Sequence, residues 1–338
     1  MKGSPDMRRV AVLGGGGMGT AMAMVLARSG AEARLWVREP DRARAMAETR
    51  RNARHLPGVE IPTEIRITGD PAEALDRADV IVASVPTSYL RATLAPLAAV
   101  APAGIPALSV VKGIEFGTFA RPTQIIAEAL GPRETAVLTG PSHAEELAKG
   151  LPASLVVAGP SASLCEAVQA QFSHPTFRIY RNADAVGAEV AGALKNILGI
   201  AAGVCDGLKI GDNAKAALLT RGLVEIARMG VKLGGRIETF YGLAGVGDVV
   251  TTCFSPFGRN REVGLRVGRG EALADVLADM ANVSEGVPTI RSVHALAAKL
   301  GVDMPITHEL HQVLFEGKPP RVAVVDLMTR TPKDEAEL

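Results

Sequence analysis

A glycine-rich stretch near the start of the chain constrains the fold most strongly. Residues Arg8–Ala27 read RRVAVLGGGGMGTAMAMVLA, so that a short apolar run breaks into four glycines and continues as a helical pattern of small residues. Gly14, Gly16 and Gly19 have the G-x-G-x-x-G spacing. Between a strand and a helix, the first glycine allows a tight turn, the second lets backbone approach a pyrophosphate, and the third lets the helix pack on the strand. The stretch predicts a dinucleotide-binding βαβ unit.

The same stretch has a second interpretation, as a secretory signal peptide. Arg8 and Arg9 precede a long uncharged run, Val10 to Ala27, which is the order of an n-region and an h-region. Glycine is a poor helix former, so four glycines within the run argue against a signal helix and against a membrane-spanning one.

The three scattered cysteines contain no C-x-x-C pair and fit a reducing, cytoplasmic setting, where we expect them to be small buried side chains.

Composition limits the classes of function. The 338 residues are enough for two domains, each with its own core. Charged residues make up 22% of the chain and the net charge is +1, which argues against a nucleic-acid-binding protein or a polybasic membrane module. The six histidines contain no H-E-x-x-H pair, and we expect no metal site.

Apolar runs alternate with helical patterns as far as about Tyr180. The predicted strands are Val10–Leu13, Arg34–Val37, Asp79–Val85, Ala107–Val111, Thr135–Leu138, Ser154–Ala158 and Phe177–Tyr180. This alternation predicts an α/β, Rossmann-type domain with a mostly parallel sheet over residues 7–184. Long helical patterns, beginning with Ala185–Cys205, then predict an all-α domain over residues 185–330, followed by a polar tail at 331–338.

Several residues of the first half lie where an open α/β sheet binds ligands, at the carboxyl ends of strands. Arg38 follows the second predicted strand and suits the 2′-phosphate of NADP, whereas Glu39 beside it is the residue type that holds the ribose of NAD. The position favours NADP. Lys112 follows the fourth predicted strand, although a solvated loop lysine is the alternative. Ser142 and Glu145 fit a capping box that opens the helix HAEELAKG.

The helical half carries Lys195 and Asn196 inside an otherwise apolar helical run. A buried ammonium group must pair, reach solvent or lower its pKa, and a lysine whose pKa is lowered can exchange a proton near neutral pH. Asp248 follows one glycine-rich turn, and Arg259-Asn260 follow another. An arginine beside an amide suits a phosphate group. A helix N-cap for Asp248 and a surface position for Arg259 are the alternatives.

In this order, these stretches resemble the bacterial NAD(P)-dependent sn-glycerol-3-phosphate dehydrogenases. The resemblance extends from Arg8 to about Gly317 and is carried by VAVLGGGGMGTAMA, SVPTSYLR, SVVKGIE, LTGPSHAEELAKGLP, FRIYRNADAVGAEVAGALKNILGIAAGVCDGL, GDNAKAALLTRGLVEIARMG, GLAGVGDVVTTC, GRNREVG and MPITHELHQVLFEGK. It implies a helical substrate and dimerisation domain behind the Rossmann-type domain, in a cytoplasmic homodimer with no nucleic-acid partner and no stable membrane insertion. Such enzymes reversibly reduce dihydroxyacetone phosphate with NADPH or NADH, for phospholipid synthesis.

The resemblance also implies roles for individual residues. Lys195 is the general acid and base, and Asp248 orients it. The implied substrate contacts are Lys112, Gly140, Ser142, Lys195, Asn196, Asp248, Thr252, Gly258, Arg259 and Asn260. Together with the three motif glycines Gly14, Gly16 and Gly19, the implied cofactor contacts are Gly17, Met18, Arg38, His55, Lys112, Ala144, Arg259, Val283 and Glu285.

The sequence departs from the family pattern at four places. Met18 stands in GGGGMG where an aromatic residue is common, and Gly258 stands where a serine is usual; Lys209 replaces an aromatic or aliphatic residue, and Ser284 replaces a valine. Two other functions stay open at this point. One is a related β-hydroxyacid dehydrogenase, which also uses a helix lysine and asparagine, and the other is a non-catalytic Rossmann protein that senses NADPH.

Overall fold

The structure is a computed structural model that describes residues 6–280, 284–332 and 334–335. The chain divides into two compact units. The first ends at Ala185 and leaves out residues 113–119, whereas the second combines Gly113–Phe119 with the chain from Val186 onward. The chain therefore passes between the two units three times, after Lys112, after Phe119 and after Ala185.

A sheet of eight strands forms the centre of the first unit. The strands of the chain are β1 (Arg9–Leu13), β2 (Glu32–Trp36), β3 (Arg51–Asn52), β4 (Leu56–Glu60), β5 (Arg66–Thr68), β6 (Val80–Ala83), β7 (Ala107–Ser109), β8 (Thr135–Thr139), β9 (Ala153–Ala158) and β10 (Phe177–Asn182). The order is β10-β9-β8-β7-β6-β1-β2-β5, while β3 and β4 form a separate antiparallel pair. Among the neighbouring strands of the large sheet, β8 and β9 are the one antiparallel pair, and the other pairs are parallel. The predicted mostly parallel sheet is confirmed.

Helices cover both faces of this sheet. They are α1 (Gly17–Arg28), α2 (Pro40–Thr49), α3 (Pro71–Leu75), α4 (Thr87–Leu94), α5 (Pro122–Leu130), α6 (Ala144–Ala148) and α7 (Ala162–Phe172), with a 3₁₀ turn at Ala95–Ala99. Side chains alternate along each strand: Val10 and Val12 lie in one buried cluster, with residues of α1 and α7, and Leu13 lies in another, with residues of α4 and α5. Burial on both faces explains why the strands read as continuous apolar runs.

The second unit is helical. Its helices are α8 (Ala185–Leu208), α9 (Asp212–Lys232), α10 (Ile237–Phe240), α11 (Asp248–Phe254), α12 (Arg259–Gly268), α13 (Leu273–Asp279), α14 (Gly286–Leu300), α15 (Pro305–Phe315) and α16 (Pro320–Met328), with a π-helical turn at Leu243–Gly247. None of its described residues lies in a strand, which confirms the predicted all-α region. Helix α8 is long and apolar enough to cross a membrane, but its most apolar window is entirely buried, as in the core helix of a folded domain.

The three cysteines are buried and form no disulfide, as predicted. Burial raises the pKa of the Cys205 thiol to about 11 and that of the Cys253 thiol to about 12. Both thiols therefore stay protonated at neutral pH and serve as small packing groups.

A wholly buried carboxyl group connects two helices of the second unit. Glu225 on α9 accepts hydrogen bonds from the backbone N–H groups of Ile306 and Thr307 and, at 3.1 Å, from the Thr307 hydroxyl. It thus satisfies donors at the start of α15. Burial raises the pKa of Glu225 to about 7, although these hydrogen bonds and the charge of Arg228 act in the opposite direction.

We predict that the stability of the protein depends on pH through Glu225. The carboxyl group has an ordinary pKa of 4.5 in the unfolded chain and a pKa of about 7 in the folded one, so between these values the folded state binds more protons. The free energy of unfolding should therefore decrease by about 3 kcal/mol as the pH rises through this window, and this decrease should be absent in Glu225→Gln. Denaturant unfolding at half-unit steps from pH 4 to pH 8 measures it.

The matched control is Glu238→Gln, which neutralises an exposed carboxylate on α10. It should retain the full dependence of the unmodified protein. An equal slope in Glu225→Gln and in the unmodified protein would show that another group carries the effect.

Candidate active site

The glycine-rich turn has the predicted geometry. Gly14 has a φ of +122°, and a Cβ there would lie 2.6 Å from the carbonyl oxygen of Ser84. Helix α1 approaches the turn so closely that a Cβ at Gly19 would lie 1.8 Å from the carbonyl oxygen of Gly14. At Gly16, the N-cap of α1, no described atom lies within 4 Å of where a Cβ would be. The turn thus fits a dinucleotide whose pyrophosphate takes the N-terminus of α1.

Two further cofactor candidates border this turn. A Cβ at Gly17 would lie 2.7 Å from the His55 carbonyl oxygen and 3.8 Å from the Ala144 Cβ, so both residues flank the start of α1. Asn52 stabilises the turn and is not among the predicted site residues. Its buried side-chain amide donates to the Gly15 carbonyl oxygen at 3.0 Å. Nothing in the sequence marked Asn52, because it lies in the two-residue strand β3.

Arg38 was expected directly after the second strand; β2 ends at Trp36, so Arg38 lies two residues beyond it, and its side chain is exposed. Glu39, the acidic alternative, is engaged by two arginines: Arg38 approaches it at 3.3 Å and Arg42 at 3.1 Å. Arg42 also donates to the carbonyl oxygen of Gly15 in the glycine-rich turn. A carboxylate occupied by two guanidinium groups is a poorer acceptor for ribose hydroxyls, and the exposed Arg38 guanidinium suits a phosphate.

Lys112 is the last residue of the first unit before the chain enters the segment Gly113–Phe119. Its ammonium group donates to the Gly140 carbonyl oxygen at 2.9 Å and to the Ser142 hydroxyl at 3.1 Å. These two residues follow β8, the neighbour of β7, so the structure brings three predicted substrate contacts together at the carboxyl ends of two adjacent strands. Gly140 has a φ of +126°, a conformation that favours glycine.

The capping box predicted from Ser142 and Glu145 is wrong. Helix α6 begins at Ala144, its N-cap is His143, and no side chain caps it within the described residues. Ser142 lies one residue too early. Its hydroxyl donates to the Gly140 carbonyl oxygen at 2.8 Å instead. The same hydroxyl oxygen accepts from the Lys112 ammonium at 3.1 Å, so Ser142 serves this cluster and not the helix.

In the second unit, Lys195 is buried and paired. Its ammonium group donates to the Asp248 carboxylate at 2.9 Å and to the Thr252 hydroxyl at 2.5 Å. All three residues are less than 10% exposed. A lysine that only passed its stem through the core would place its ammonium in solvent. The buried pair therefore excludes the snorkelling alternative, and it leaves a positioned proton donor on α8.

The segment before Asp248 explains how the carboxylate reaches Lys195. The π-helical turn Leu243–Gly247 runs directly into α11, whose first residue is Asp248. At Gly245 the backbone passes so near to Phe240 that a Cβ would lie 1.9 Å from its carbonyl oxygen. Thr252 lies one turn further along α11, so both partners of Lys195 point from one face of a short helix.

Helix α12 is held against α8 by backbone contact. Three of the five glycines of α8 recur at every fourth position: Gly199, Gly203 and Gly207. A Cβ at Gly203 would lie 2.0 Å from the carbonyl oxygen of Arg261 on α12. Conversely, a Cβ at Gly264 of α12 would lie 1.9 Å from the carbonyl oxygen of Ile200 on α8. This spacing was readable in the sequence, and it positions the start of α12 beside Lys195 and Asn196.

Two buried asparagines connect the starts of α12 and α14 to α8. The Asn260 side-chain nitrogen donates to the Asn196 side-chain oxygen at 2.9 Å. The Asn260 oxygen accepts from the Ser284 hydroxyl at 2.7 Å and from the Gly286 backbone N–H at 2.9 Å. The sequence analysis expected the Asn260 amide to contact a phosphate, whereas the structure engages it with its neighbours.

A second buried lysine lies in the same unit, outside this cluster. Lys215 on α9 donates to both carboxylate oxygens of Asp206, at 2.9 and 3.0 Å, and its ammonium lies 4.7 Å from the centroid of the Phe254 ring. Asp206 also accepts from Arg261 at 2.7 Å. No residue of this network is among the predicted site residues, so we assign it a structural role.

The remaining predicted contacts lie mainly at helix starts. Gly258 is the N-cap of α12, and Arg259 is its first residue and exposed. Glu285 is the N-cap of α14, and Met18 lies half-buried in the first turn of α1. Val283, a predicted cofactor contact, lies outside the described residues.

Comparisons with known proteins agree with this geometry. The family description "NAD-dependent glycerol-3-phosphate dehydrogenase N-terminus" matches residues 9–165, and the corresponding C-terminus description matches residues 184–325. A glycerol-3-phosphate dehydrogenase (NAD(P)+) of Chlorobium phaeobacteroides is 46% identical over 330 residues, 97% of this chain and 99% of its own. One of Moorella thermoacetica is 45% identical over 328 residues, 97% of this chain and 98% of its own.

A solved structure shows the same arrangement of elements. The crystal structure of glycerol-3-phosphate dehydrogenase from Coxiella burnetii matches with a TM-score of 0.91 at 36% identity, and the match covers 95% of this chain and 98% of that one. The similarity therefore extends over both units.

We predict that Gly203→Ala destabilises the protein. Although alanine is the better helix former, its Cβ would lie 2.0 Å from a backbone oxygen of α12, so one of the two helices must move. The free energy of unfolding should fall by about 1–3 kcal/mol, as is usual for overpacked cores. Chemical denaturation measures this loss. In the control Gly242→Ala, the Cβ would meet its nearest neighbour at an ordinary 3.4 Å, and stability should change little; equal losses would refute the packing argument.

Proposed function

The chain belongs to the NAD-dependent glycerol-3-phosphate dehydrogenase family of oxidoreductases, and from this premise we propose that Lys195 is the general acid and base of the reaction. The reaction is the reversible reduction of dihydroxyacetone phosphate to sn-glycerol 3-phosphate. The observation that carries the proposal is the buried ammonium of Lys195, held by Asp248 at 2.9 Å and by Thr252. The hydroxyacid dehydrogenase and NADPH-sensor alternatives are not favoured, since relatives about 45% identical over nearly the whole chain are glycerol-3-phosphate dehydrogenases.

When bound, the nicotinamide of the reduced cofactor would supply the hydride that reduces the ketone carbon. As negative charge develops on the ketone oxygen, the Lys195 ammonium stabilises it and delivers a proton to it. Asp248 stabilises the ammonium before the transfer and holds its nitrogen at one place, and Thr252 fixes it from a second side. In the reverse direction the neutral amine accepts the proton from the hydroxyl of glycerol 3-phosphate. Asn196, the next residue on α8, contacts a substrate oxygen in this proposal.

We assign the phosphate of the substrate to the start of α12. The backbone N–H groups of a first helical turn have no partner within the helix, and the helix dipole favours an anion there. The exposed Arg259 guanidinium begins the same turn, directly after Gly258. Binding energy from this remote group can position the ketone against Lys195. In the first unit, Lys112, Gly140 and Ser142 are the proposed substrate contacts.

The cofactor is proposed to bind the glycine-rich turn of the first unit. The enzyme uses NAD(P), and the preference for NADP is our inference from Arg38. Within the first unit, the proposed contacts are Gly14, Gly16, Gly17, Met18, Gly19, Arg38, His55, Lys112 and Ala144. Arg259 and Glu285 of the second unit stay predicted contacts, as does Val283. The assignment of the two units to cofactor and substrate is likewise a proposal, as are a cytoplasmic homodimer and a role in phospholipid synthesis.

Removing the Lys195 ammonium should abolish most of the turnover. We expect kcat of Lys195→Ala with dihydroxyacetone phosphate and NADPH to fall by about 10²–10⁴-fold, the usual contribution of a positioned proton donor. The dissociation constant of NADPH should be unchanged, because no group of the glycine-rich turn is altered. Spectrophotometric NADPH oxidation and fluorescence titration measure the two quantities.

The matched control is Lys215→Ala, which removes the other buried lysine of the second unit. Both variants leave an aspartate without its ammonium partner, so both should lose stability. Only the Lys195 variant should lose turnover at a temperature where each is folded. Comparable kcat values in the two variants would remove Lys195 from the proposed role, and absence of turnover in the unmodified protein would overturn the substrate assignment itself.

Arg38 is predicted to determine the choice of cofactor. Removing its guanidinium in Arg38→Ala should raise KM for NADPH about 10-fold, since a charge-assisted bond to a phosphate is worth about 1.5–3 kcal/mol where it is partly shielded. KM for NADH, which carries no 2′-phosphate, should stay within about 2-fold of the unmodified value. Initial rates with each cofactor give both constants.

Arg44→Ala is the control for Arg38, because it removes another exposed arginine, on α2, whose partner is Asp41. It should leave both KM values unchanged. Equal effects of Arg38→Ala on NADPH and NADH would show that Arg38 does not read the 2′-phosphate.

A further inference from the structure

The two buried asparagines have a fixed polarity. An asparagine amide can be turned over without changing its shape, and its orientation follows from its partners. The Gly286 backbone N–H can only donate, and it lies 2.9 Å from the Asn260 amide. The group facing it is therefore the Asn260 oxygen. The Asn260 nitrogen consequently faces Asn196 and must meet the Asn196 oxygen, which it does at 2.9 Å.

The orientation of the Asn260 amide also fixes the orientation of the Asn196 amide. Because its oxygen accepts from Asn260, the Asn196 side chain presents its nitrogen, a donor, in the other direction. Asn196 directly follows Lys195 on α8, and its side chain is almost wholly buried. A substrate oxygen next to Lys195 needs donors, and a reversed Asn196 would offer it an acceptor instead.

Ser284 supplies the second donor that sets the order. Its hydroxyl is buried, 4% exposed, and donates to the Asn260 oxygen at 2.7 Å. The backbone at Gly286 also packs closely against both asparagines. A Cβ there would lie 2.8 Å from the Asn260 side-chain oxygen and 2.9 Å from the Asn196 backbone oxygen. Two donors on one amide oxygen hold Asn260 in place against the start of α14.

We propose that Ser284 is a positioning residue, which acts through Asn260 to make Asn196 present its side-chain N–H₂ to an oxygen of the substrate. The inference deepens the proposed function and rests on it. It also changes the part played by Asn260: its side chain orients Asn196, while its backbone N–H in the first turn of α12 stays available to the phosphate. Ser284 itself does not touch the substrate.

Steady-state kinetics of Ser284→Ala tests the proposal. Loss of one of the two donors should raise KM for dihydroxyacetone phosphate about 5-fold, the equivalent of one ordinary hydrogen bond, and leave kcat within about 2-fold because Lys195 and Asp248 keep their pair. The dissociation constant of NADPH should not change. Ser284→Thr retains the hydroxyl and should bring KM back to within about 2-fold of the unmodified value.

Asn260→Asp provides a second, independent variant. A carboxylate at this position still accepts from Ser284 and Gly286, but it cannot donate. Asn196 must then turn its nitrogen toward the new carboxylate and its own oxygen toward the substrate. KM should rise by far more than in Ser284→Ala, by about 100-fold, with the thermal midpoint as the check that the variant is folded.

The results separate the possible failures. An unchanged KM in Ser284→Ala or in folded Asn260→Asp would overturn the inference, as would a rise in KM that Ser284→Thr does not reverse. A fall in the thermal midpoint of Ser284→Ala without a change in KM would assign Ser284 a purely structural role. Absence of turnover in the unmodified protein would instead overturn the proposed function, and this inference with it.

Discussion

The burial of one positive charge governs the construction of the second unit. Helix α8 is buried along its most apolar window, and it carries Lys195 at its centre. An unpaired ammonium in such a place would cost several kcal/mol, so the fold must bring a carboxylate to it. Asp248 meets this requirement because a π-helical turn ends where α11 begins. The geometry that stabilises the pair also leaves a proton donor in a fixed position.

The glycine-rich turn of the first unit and the Lys195 cluster of the second present different kinds of chemical group. In the glycine-rich turn the groups are backbone atoms, exposed or brought together by glycines such as Gly14 and Gly16, and the N–H groups at the start of α1 suit an anion. In the cluster around Lys195 they are side chains, each held by another: Lys195 by Asp248, and Asn196 by Asn260. The first kind of site suits a phosphate chain of constant shape, as our proposal for the cofactor requires. The second can fix single protons and single donor directions, as acid–base chemistry requires.

The structural features that could be predicted from the sequence are those that depend on periodicity or on short motifs. Six of the seven predicted strands are largely buried on both faces and were visible as apolar runs, whereas β10 alternates buried and exposed residues. The glycine-rich turn predicted its own geometry. The strands β5 and β3 were missed because RIT and RN contain no apolar run, and β4 was missed because LPGVE carries a proline and a glycine and is largely exposed. The capping box failed because the helix begins one residue later than its spacing requires, and the Ser142 hydroxyl is engaged by Lys112 and Gly140 instead. The partners of Asn260 come from separate helices or their flanks, and no local pattern could have joined them.

The passage of the chain through Gly113–Phe119 bears on how the protein could have been assembled in evolution. This short segment belongs to the second unit although the first unit flanks it on both sides. Ile114 is buried, and the Phe119 ring lies 5.4 Å from the Lys299 ammonium. The helical unit is therefore not encoded as one continuous piece of gene. Exchanging it intact between relatives would need two coordinated replacements, one of Gly113–Phe119 and one of the chain from Val186 onward.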